Sequence, residues 1–292
     1  MTIGFEGPEK KFELLLSPGG PSLRARGQAY WASVVGAASA TILSQVSNDY
    51  LDAYLLSESS LFVYERRVVM ITCGCTTLAA ALEMILKDLD SQEIQSLIFE
   101  RKNENFPHAQ VTKFENDFER IKALVPCTFV EFGNPNGDCI KLFHLNKPHD
   151  ADSDDNTLEL LMHDISPDAE RGFDDLFENA LIDRHIFEPQ GYSLNALISE
   201  SYYTVHVTPE SNGSYASFET NFDLAAPGGL HAFKRVLEKC QPGRFDLLLF
   251  QYDEAVTHEL ISCLSTDYKL SKADSRTLGC GYSTTYIHGE RK

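Results

Sequence analysis

Apolar and polar residues alternate with a period of two along much of this chain, and with a helical period in only a few places. Residues 4–16 predict a loop running into a strand, with Phe12, Leu14 and Leu16 on one side and Glu13 and Leu15 on the other. Residues 17–27, rich in Gly, Pro and Arg, predict a loop. A short apolar strand is expected at 54–57. A longer one is expected at 61–72, with the charged run Glu65-Arg66-Arg67 as its exposed end. Residues 76–89 predict an amphipathic helix, with Leu78, Leu82, Ile85 and Leu89 on one face and Thr76 or Thr77 able to cap its start.

The polar stretch 146–156 predicts a linker between two halves. Directly after it, Thr157-Leu158-Glu159-Leu160-Leu161-Met162 resembles Lys11-Phe12-Glu13-Leu14-Leu15-Leu16 of the first half. Residues 203–208 and 215–222 alternate like the arms of a hairpin. Leu230, Phe233 and Leu237 form the stripe of a further helix, and 245–252 reads as a buried strand. The pattern predicts one domain over 1–292, built from α+β pseudo-repeats at about 1–150 and 151–292. Antiparallel sheets with helices on one face of each would bury these patterns. Two such units packed sheet to sheet give a four-layer αββα sandwich with helices on the outer faces.

Composition narrows the partners. The 292 residues are 43% hydrophobic and 23% charged, the profile of a soluble globular protein. With 43 acidic and 25 basic side chains, the formal charge is -18, which argues against nucleic acid and suits a cationic ligand. No signal-peptide stretch opens residues 1–11 and no run approaches bilayer length, so a cytoplasmic protein without a membrane partner is expected. The seven cysteines form no CxxC pair, so neither a zinc knuckle nor another metal is expected, and the thiols are read as reduced. Cys73 and Cys75 flank Gly74 and would share one side of a strand; Cys75 is read as structural.

The stretch Leu55-Leu56-Ser57-Glu58-Ser59-Ser60-Leu61-Phe62-Val63, followed by Thr72-Cys73-Gly74, is on its own an ordinary Ser-rich turn between strands. It gains meaning from three further blocks and an N-terminal motif. These are Gly4-Phe5-Glu6-Gly7-Pro8-Glu9-Lys10, Pro189-Gln190-Gly191-Tyr192-Ser193-Leu194-Asn195, Val205-His206-Val207-Thr208-Pro209-Glu210 and Ser214-Tyr215-Ala216-Ser217-Phe218-Glu219. Together, in this order, they resemble the signature segments of the eukaryotic-type S-adenosylmethionine decarboxylase proenzymes. The resemblance runs from about residue 4 to 222 and fades beyond.

The resemblance implies self-cleavage between Glu58 and Ser59, giving chains 1–58 and 59–292, with Ser59 converted to a covalent pyruvoyl cofactor. That ketone would form a Schiff base with the amine of S-adenosylmethionine and accept the electrons left as carbon dioxide departs. The product would serve spermidine and spermine biosynthesis. Ser193 matches a processing serine, His206 the base that removes the α-proton of Ser59, and Cys73 the acid that reprotonates the product. Glu6 and Glu9 match carboxylates placed near this chemistry. Phe5 and Phe187 match the adenine sandwich, Glu210 the carboxylate on the ribose hydroxyls, and Leu56 and Glu58 flank the same pocket.

Glu13, Asp155, Thr157, Glu159 and Glu219 match an internal acidic site that binds putrescine in animal members. Ile71 stands where a lysine is expected, so the cluster is read as having lost its internal cation. Water, a basic side chain from elsewhere or an obligatory diamine could take that place. A homodimer is a further expectation. Alternatives are a decarboxylase of the same fold acting on ornithine or arginine, a catalytically dead regulatory paralogue, or an uncut ligand-binding protein. Retention of Phe5, Phe187 and Glu210 argues against the first, and the presence of Glu58, Ser59, Cys73, Ser193 and His206 against the second.

Overall fold

The computed structural model describes residues 6–149, 155–170, 172–210 and 213–292. One sheet comprises β1 (Lys10–Leu16), β2 (Ile42–Ser47), β3 (Leu51–Leu56), β4 (Ser59–Tyr64), β5 (Arg67–Thr72), β6 (Ile94–Lys102), β7 (Cys127–Gly133) and β8 (Cys139–Leu145), in the order β2-β3-β4-β5-β1-β6-β8-β7. The other comprises β9 (Thr157–His163), β10 (Leu181–Ile186), β11 (Tyr192–Ile198), β12 (Ser201–Thr208), β13 (Tyr215–Thr220), β14 (Arg244–Phe250), β15 (Tyr268–Leu270), β16 (Asp274–Thr277) and β17 (Ser283–Arg291). Its order is β10-β11-β12-β13-β9-β14-β17-β15, with β16 also on β17. The two orders correspond position by position, and the look-alike strands β1 and β9 occupy the same place in each.

The period-two pattern has an unusual destination. Phe12, Leu14 and Leu16 of β1 leave the sheet toward the helices α1 (Gly27–Ala37), α2 (Leu78–Lys87) and α3 (Phe114–Lys122), where they pack with Trp31, Leu82 and Ile121. Leu158, Leu160 and Met162 do the same beneath α4 (Gly229–Cys240) and α5 (Glu254–Leu264), against Phe233, Val236 and Leu260. The alternate positions, Lys11 and Glu13 among them, turn the other way, toward the second sheet rather than toward water. That inner layer is partly apolar: Phe62 stacks on Tyr202 with ring centroids 4.0 Å apart, beside Ile71 and Leu197. Each such side chain contributes about 1.5–3 kcal/mol by leaving water, and the apolar zones flank a polar interior.

Three expectations change. Residues 61–72 are not one strand but the hairpin β4–β5, turning at Glu65 and Arg66, and Arg67 is 8% exposed rather than a solvent-facing end. Neither threonine caps α2. Thr77 Oγ1 donates to the Ala37 carbonyl (2.9 Å) and Thr76 Oγ1 to that of Cys73 (3.0 Å). Finally, β5 ends at Thr72, so the backbone turns through Gly74 (φ 64°), burying Cys73 and exposing Cys75, which therefore has no packing role.

Candidate active site

β3 and β4 pair antiparallel with Leu56 opposite Ser59, leaving Ser57 and Glu58 as a two-residue turn. Ser59, the first residue of β4, has φ 133°, a region that disfavours any residue with a Cβ and stores roughly 1–3 kcal/mol. Its hydroxyl is buried without a hydrogen-bond partner among the described residues. The preceding carbonyl, of Glu58, accepts from Cys73 N at 2.9 Å and from Cys73 Sγ at 3.4 Å. The turn thus presents a free nucleophile next to a carbonyl that two donors already polarise. Burial, with Glu58 and Glu9 nearby, pushes the Cys73 thiol well above its usual range and keeps its proton in place. Burial raises Glu58 to about 7.

The second sheet supplies the facing groups. In β11 and β12, Ser193 pairs with His206 and Asn195 with Thr204, so all four share the face toward β4. Ser193 Oγ lies 2.8 Å from His206 Nδ1; Thr204 Oγ1 and Ser60 Oγ lie 2.8 and 3.1 Å from Nε2. Burial lowers His206 to about 3, so the ring is neutral at physiological pH. From β13, Ser217 Oγ donates to Glu9 (2.7 Å), and burial lifts that carboxyl to about 8.

Ser59, Glu58, Cys73, Ser193 and His206 line one cavity of about 290 Å³ together with Phe187 and Glu210. Gly191 (φ 120°), Pro209 and Thr208 are also on its wall; they belong to the quoted signature segments but have no role assigned there. Leu56 is fully buried in the helix-facing core, and Glu6 sits behind the site, accepting from the N–H groups of Asn105 (2.8 Å) and Phe106 (2.7 Å). The structure therefore places neither on the cavity. Phe5 lies outside the described residues.

The acidic residues converge between the sheets, but with cations among them. Lys11 is the strand partner of Ile71 across β1–β5. Its Nζ lies 2.5 Å from Glu159, 3.2 Å from Glu219 and 3.6 Å from Glu100. Arg67 pairs with Glu13 (2.7 Å), reaches Asp155 (3.8 Å) and donates to Thr157 Oγ1 (3.3 Å). Of the three possibilities left open at Ile71, the structure shows a basic side chain from elsewhere: the ammonium arrives from the neighbouring strand. Glu100, Lys11, Arg67 and Tyr202, which donates to Glu219, were not in the predicted set. Lys11 and Glu13 do share a face by their spacing, and that was the available signal. Burial and Glu100 hold Glu159 well above the carboxylate range, while burial raises Glu219 to about 7 against the pull of Lys11. Among the described residues, the other ligand-like group is Asp138, His163 and Asp246. The ammonium of Lys102 sits there, 3.1 Å from Asp138 and 3.0 Å from Asp246.

A strained serine in a hairpin of one sheet and a neutral histidine of the other line one cavity within an αββα sandwich, the layout of an enclosed active site between two sheets. The family model for adenosylmethionine decarboxylase matches residues 2–174 and 167–289, and the chain belongs to that family. A Dictyostelium discoideum protein named S-adenosylmethionine decarboxylase proenzyme is 36% identical, over 86% of this chain and 76% of the relative. A Drosophila melanogaster protein of the same name is 30% identical, over 94% of this chain and 90% of its own length. The Trypanosoma brucei AdoMetDC-delta26 monomer superposes with a TM-score of 0.60 at 21% identity, covering 80% of this chain and 99% of that one, a likeness of fold. The family's activity places the chain among the carboxy-lyases. No helix among the described residues is long and apolar enough to cross a membrane.

Proposed function

We propose that the chain cuts itself between Glu58 and Ser59, converts Ser59 to a pyruvoyl group, and decarboxylates S-adenosylmethionine in the cavity beside it. The observation that carries this reading is the pairing of a partnerless Ser59 hydroxyl at φ 133° with a Glu58 carbonyl already bonded to Cys73. Attack of Ser59 Oγ on that carbonyl forms the ester bond, breaks the amide and leaves a free amine, relieving the strained φ as it does so. Cys73 N–H is the donor that remains on the developing oxyanion. His206, neutral and bonded to Ser193, then removes the α-proton of residue 59. The Cβ–Oγ bond of residue 59 breaks as a Cα–Cβ double bond forms, Glu58 leaves as a carboxylate, and the resulting enamine tautomerises to an imine whose hydrolysis by water releases ammonia.

The cavity fits the finished group, since Ser59, Cys73, Ser193 and His206 all face it. A pyruvoyl carbonyl supplies an electron sink for the departing carboxyl group. Phe187 and Glu210 on the cavity wall suit an adenine face and a pair of ribose hydroxyls. Cys73, held protonated by burial, is placed to return a proton to the substrate carbon. The inner acidic site carries its own cations, Lys11 and Arg67, and this favours a chain that needs no added diamine.

Intact-protein mass spectrometry of the wild-type chain is expected to give two fragments, and Ser59→Ala a single one. Carbon dioxide release is expected from S-adenosylmethionine and not from ornithine or arginine. A single uncut wild-type polypeptide would refute the proposal.

A further inference from the structure

Each nitrogen of the His206 ring faces a hydroxyl, so the ring's two tautomers are decided by where those hydroxyl protons point. On the Nε2 side stand Thr204 Oγ1 at 2.8 Å and Ser60 Oγ at 3.1 Å. Ser60 Oγ donates to Asn195 Oδ1 at 2.5 Å, its shortest contact. Thr204 Oγ1 lies 3.0 Å from the Leu194 carbonyl and 3.0 Å from the same Asn195 Oδ1, both of which only accept. Each hydroxyl has one proton: Ser60 directs its own to Asn195, and Thr204, 2.8 Å from Nε2 and 3.2 Å from Ser60 Oγ, has two oxygens at 3.0 Å that can only accept it. With both protons so directed, two lone-pair oxygens face Nε2 and the ring proton sits there. Nδ1 is left as an acceptor toward Ser193 Oγ at 2.8 Å.

We infer that Asn195 is a positioning residue: its side-chain oxygen, acting through Ser60 and Thr204, fixes His206 as the Nε2–H tautomer and so reserves Nδ1 as the base. The side chain is fully buried, and its Nδ2 has no hydrogen-bond partner among the described residues. An amide in such a place orients by what its oxygen gathers. Ser60 adds a second role. It directly follows Ser59 and is a hydrogen-bonded tie from β4 across to β11 and β12. The same contact that sets the tautomer thus also registers residue 59 against the ring.

The catalytic consequence rests on the proposed role of His206, and the test separates the two. In the uncut Ser59→Ala chain, with histidine labelled in nitrogen-15, the His206 shifts report the tautomer directly. The parent is expected to carry the proton on Nε2. Asn195→Asp, which keeps an acceptor oxygen, should preserve that state, whereas an amide presenting its N–H groups would be disrupted by the same change. Asn195→Leu frees the Ser60 and Thr204 protons to turn toward Nε2 and should shift the ring toward Nδ1–H. Asn195→Val, smaller and suited to a strand, is read in the same way if the leucine variant does not fold. In chains that retain Ser59, self-cleavage should stay close to parental in Asn195→Asp. In the apolar variants it should slow at least about tenfold, bounded by the ~10⁴-fold that a wrong imidazole tautomer costs a serine protease. Persistence of Nε2–H in the apolar variants, or Nδ1–H in the parent, would overturn the inference. A switched tautomer with unchanged cleavage would uphold Asn195 and instead remove His206 from its proposed role.

Discussion

Replacing Lys11 by methionine would remove the ammonium from the inner acidic site while keeping most of its volume. Three carboxylates then lose their shared cation: Glu159 at 2.5 Å, Glu219 at 3.2 Å and Glu100 at 3.6 Å. Arg67 cannot compensate, because it is engaged with Glu13 at 2.7 Å. Breaking a buried pair from one side costs about 3–5 kcal/mol. At an unfolding entropy of about 2.1 cal/mol/K per residue, this chain gives roughly 0.6 kcal/mol per degree, so Tm should fall by about 5–8 °C. The pH dependence has a definite sign. With Glu219 already raised to about 7 in the parent, both chains lose stability as pH rises from the ordinary carboxylate value near 4.3; above about 7 the parent's Glu219 ionises beside Lys11 and its loss stops, whereas without Lys11 the carboxyls stay protonated and the loss continues. The deficit should therefore be small at pH 5 and grow toward pH 8. A diamine that binds only the folded variant should restore up to about 2.7 kcal/mol at one hundred times its dissociation constant. Thermal unfolding followed by circular dichroism at both pH values, with and without putrescine, reads all three effects. A variant within about 1 kcal/mol of the parent at pH 8, and indifferent to putrescine, would refute the reasoning.

Cys73→Ala should still self-cleave, since the backbone N–H at 2.9 Å from the Glu58 carbonyl survives, but its decarboxylation should drop by about 10²–10⁴, read as carbon dioxide release. Unchanged turnover would remove the thiol from its acid role. His206, lowered from an ordinary 6.5 to about 3, costs the folded state nothing at neutral pH. Below about pH 6.5 the unfolded chain gains a proton the folded chain refuses, so stability falls, by about 3 kcal/mol at pH 4. Denaturant titrations should show His206→Phe losing less stability than the parent between pH 7 and pH 4, and parallel losses would contradict a neutral buried ring. Glu210→Ala should raise the KM for S-adenosylmethionine with little change in self-cleavage, and an unaltered KM would take Glu210 off the ribose.

The strands and the helix faces were legible because their periods are set by local geometry, as at Leu78, Leu82 and Ile85 or at Phe12, Leu14 and Leu16. Less legible was what lies on the other side of an alternating strand. Lys11 and Arg67 have the pattern of a solvent-facing edge, and the packing of a second sheet over them turns that face into an interior, where the resemblance had placed only Glu13. Arg67 misled for that reason, and the strand break at Glu65 and Arg66 followed from the same misreading. The residues around Ser59 were recognisable by resemblance, but their support was not. Ser60, Asn195, Thr204 and Ser217 are small polar residues whose meaning depends on which strand stands opposite, information that appears only once the sheets are assembled.

A cut between Glu58 and Ser59, where the turn meets β4, would fall between strands that stay zipped. The shorter product would keep β1, β2 and β3, while β4, β5 and β6 belong to the longer one, and β1 is laced between β5 and β6. Neither product could drift away without tearing the sheet apart, so activation would leave the particle whole while the sheet stays folded. Once unfolded, however, the mature form must reassemble from two polypeptides and could not regenerate its severed bond. On the proposed cleavage, the intact precursor would be the one form that folds from a single thread, and its maturation a one-way step.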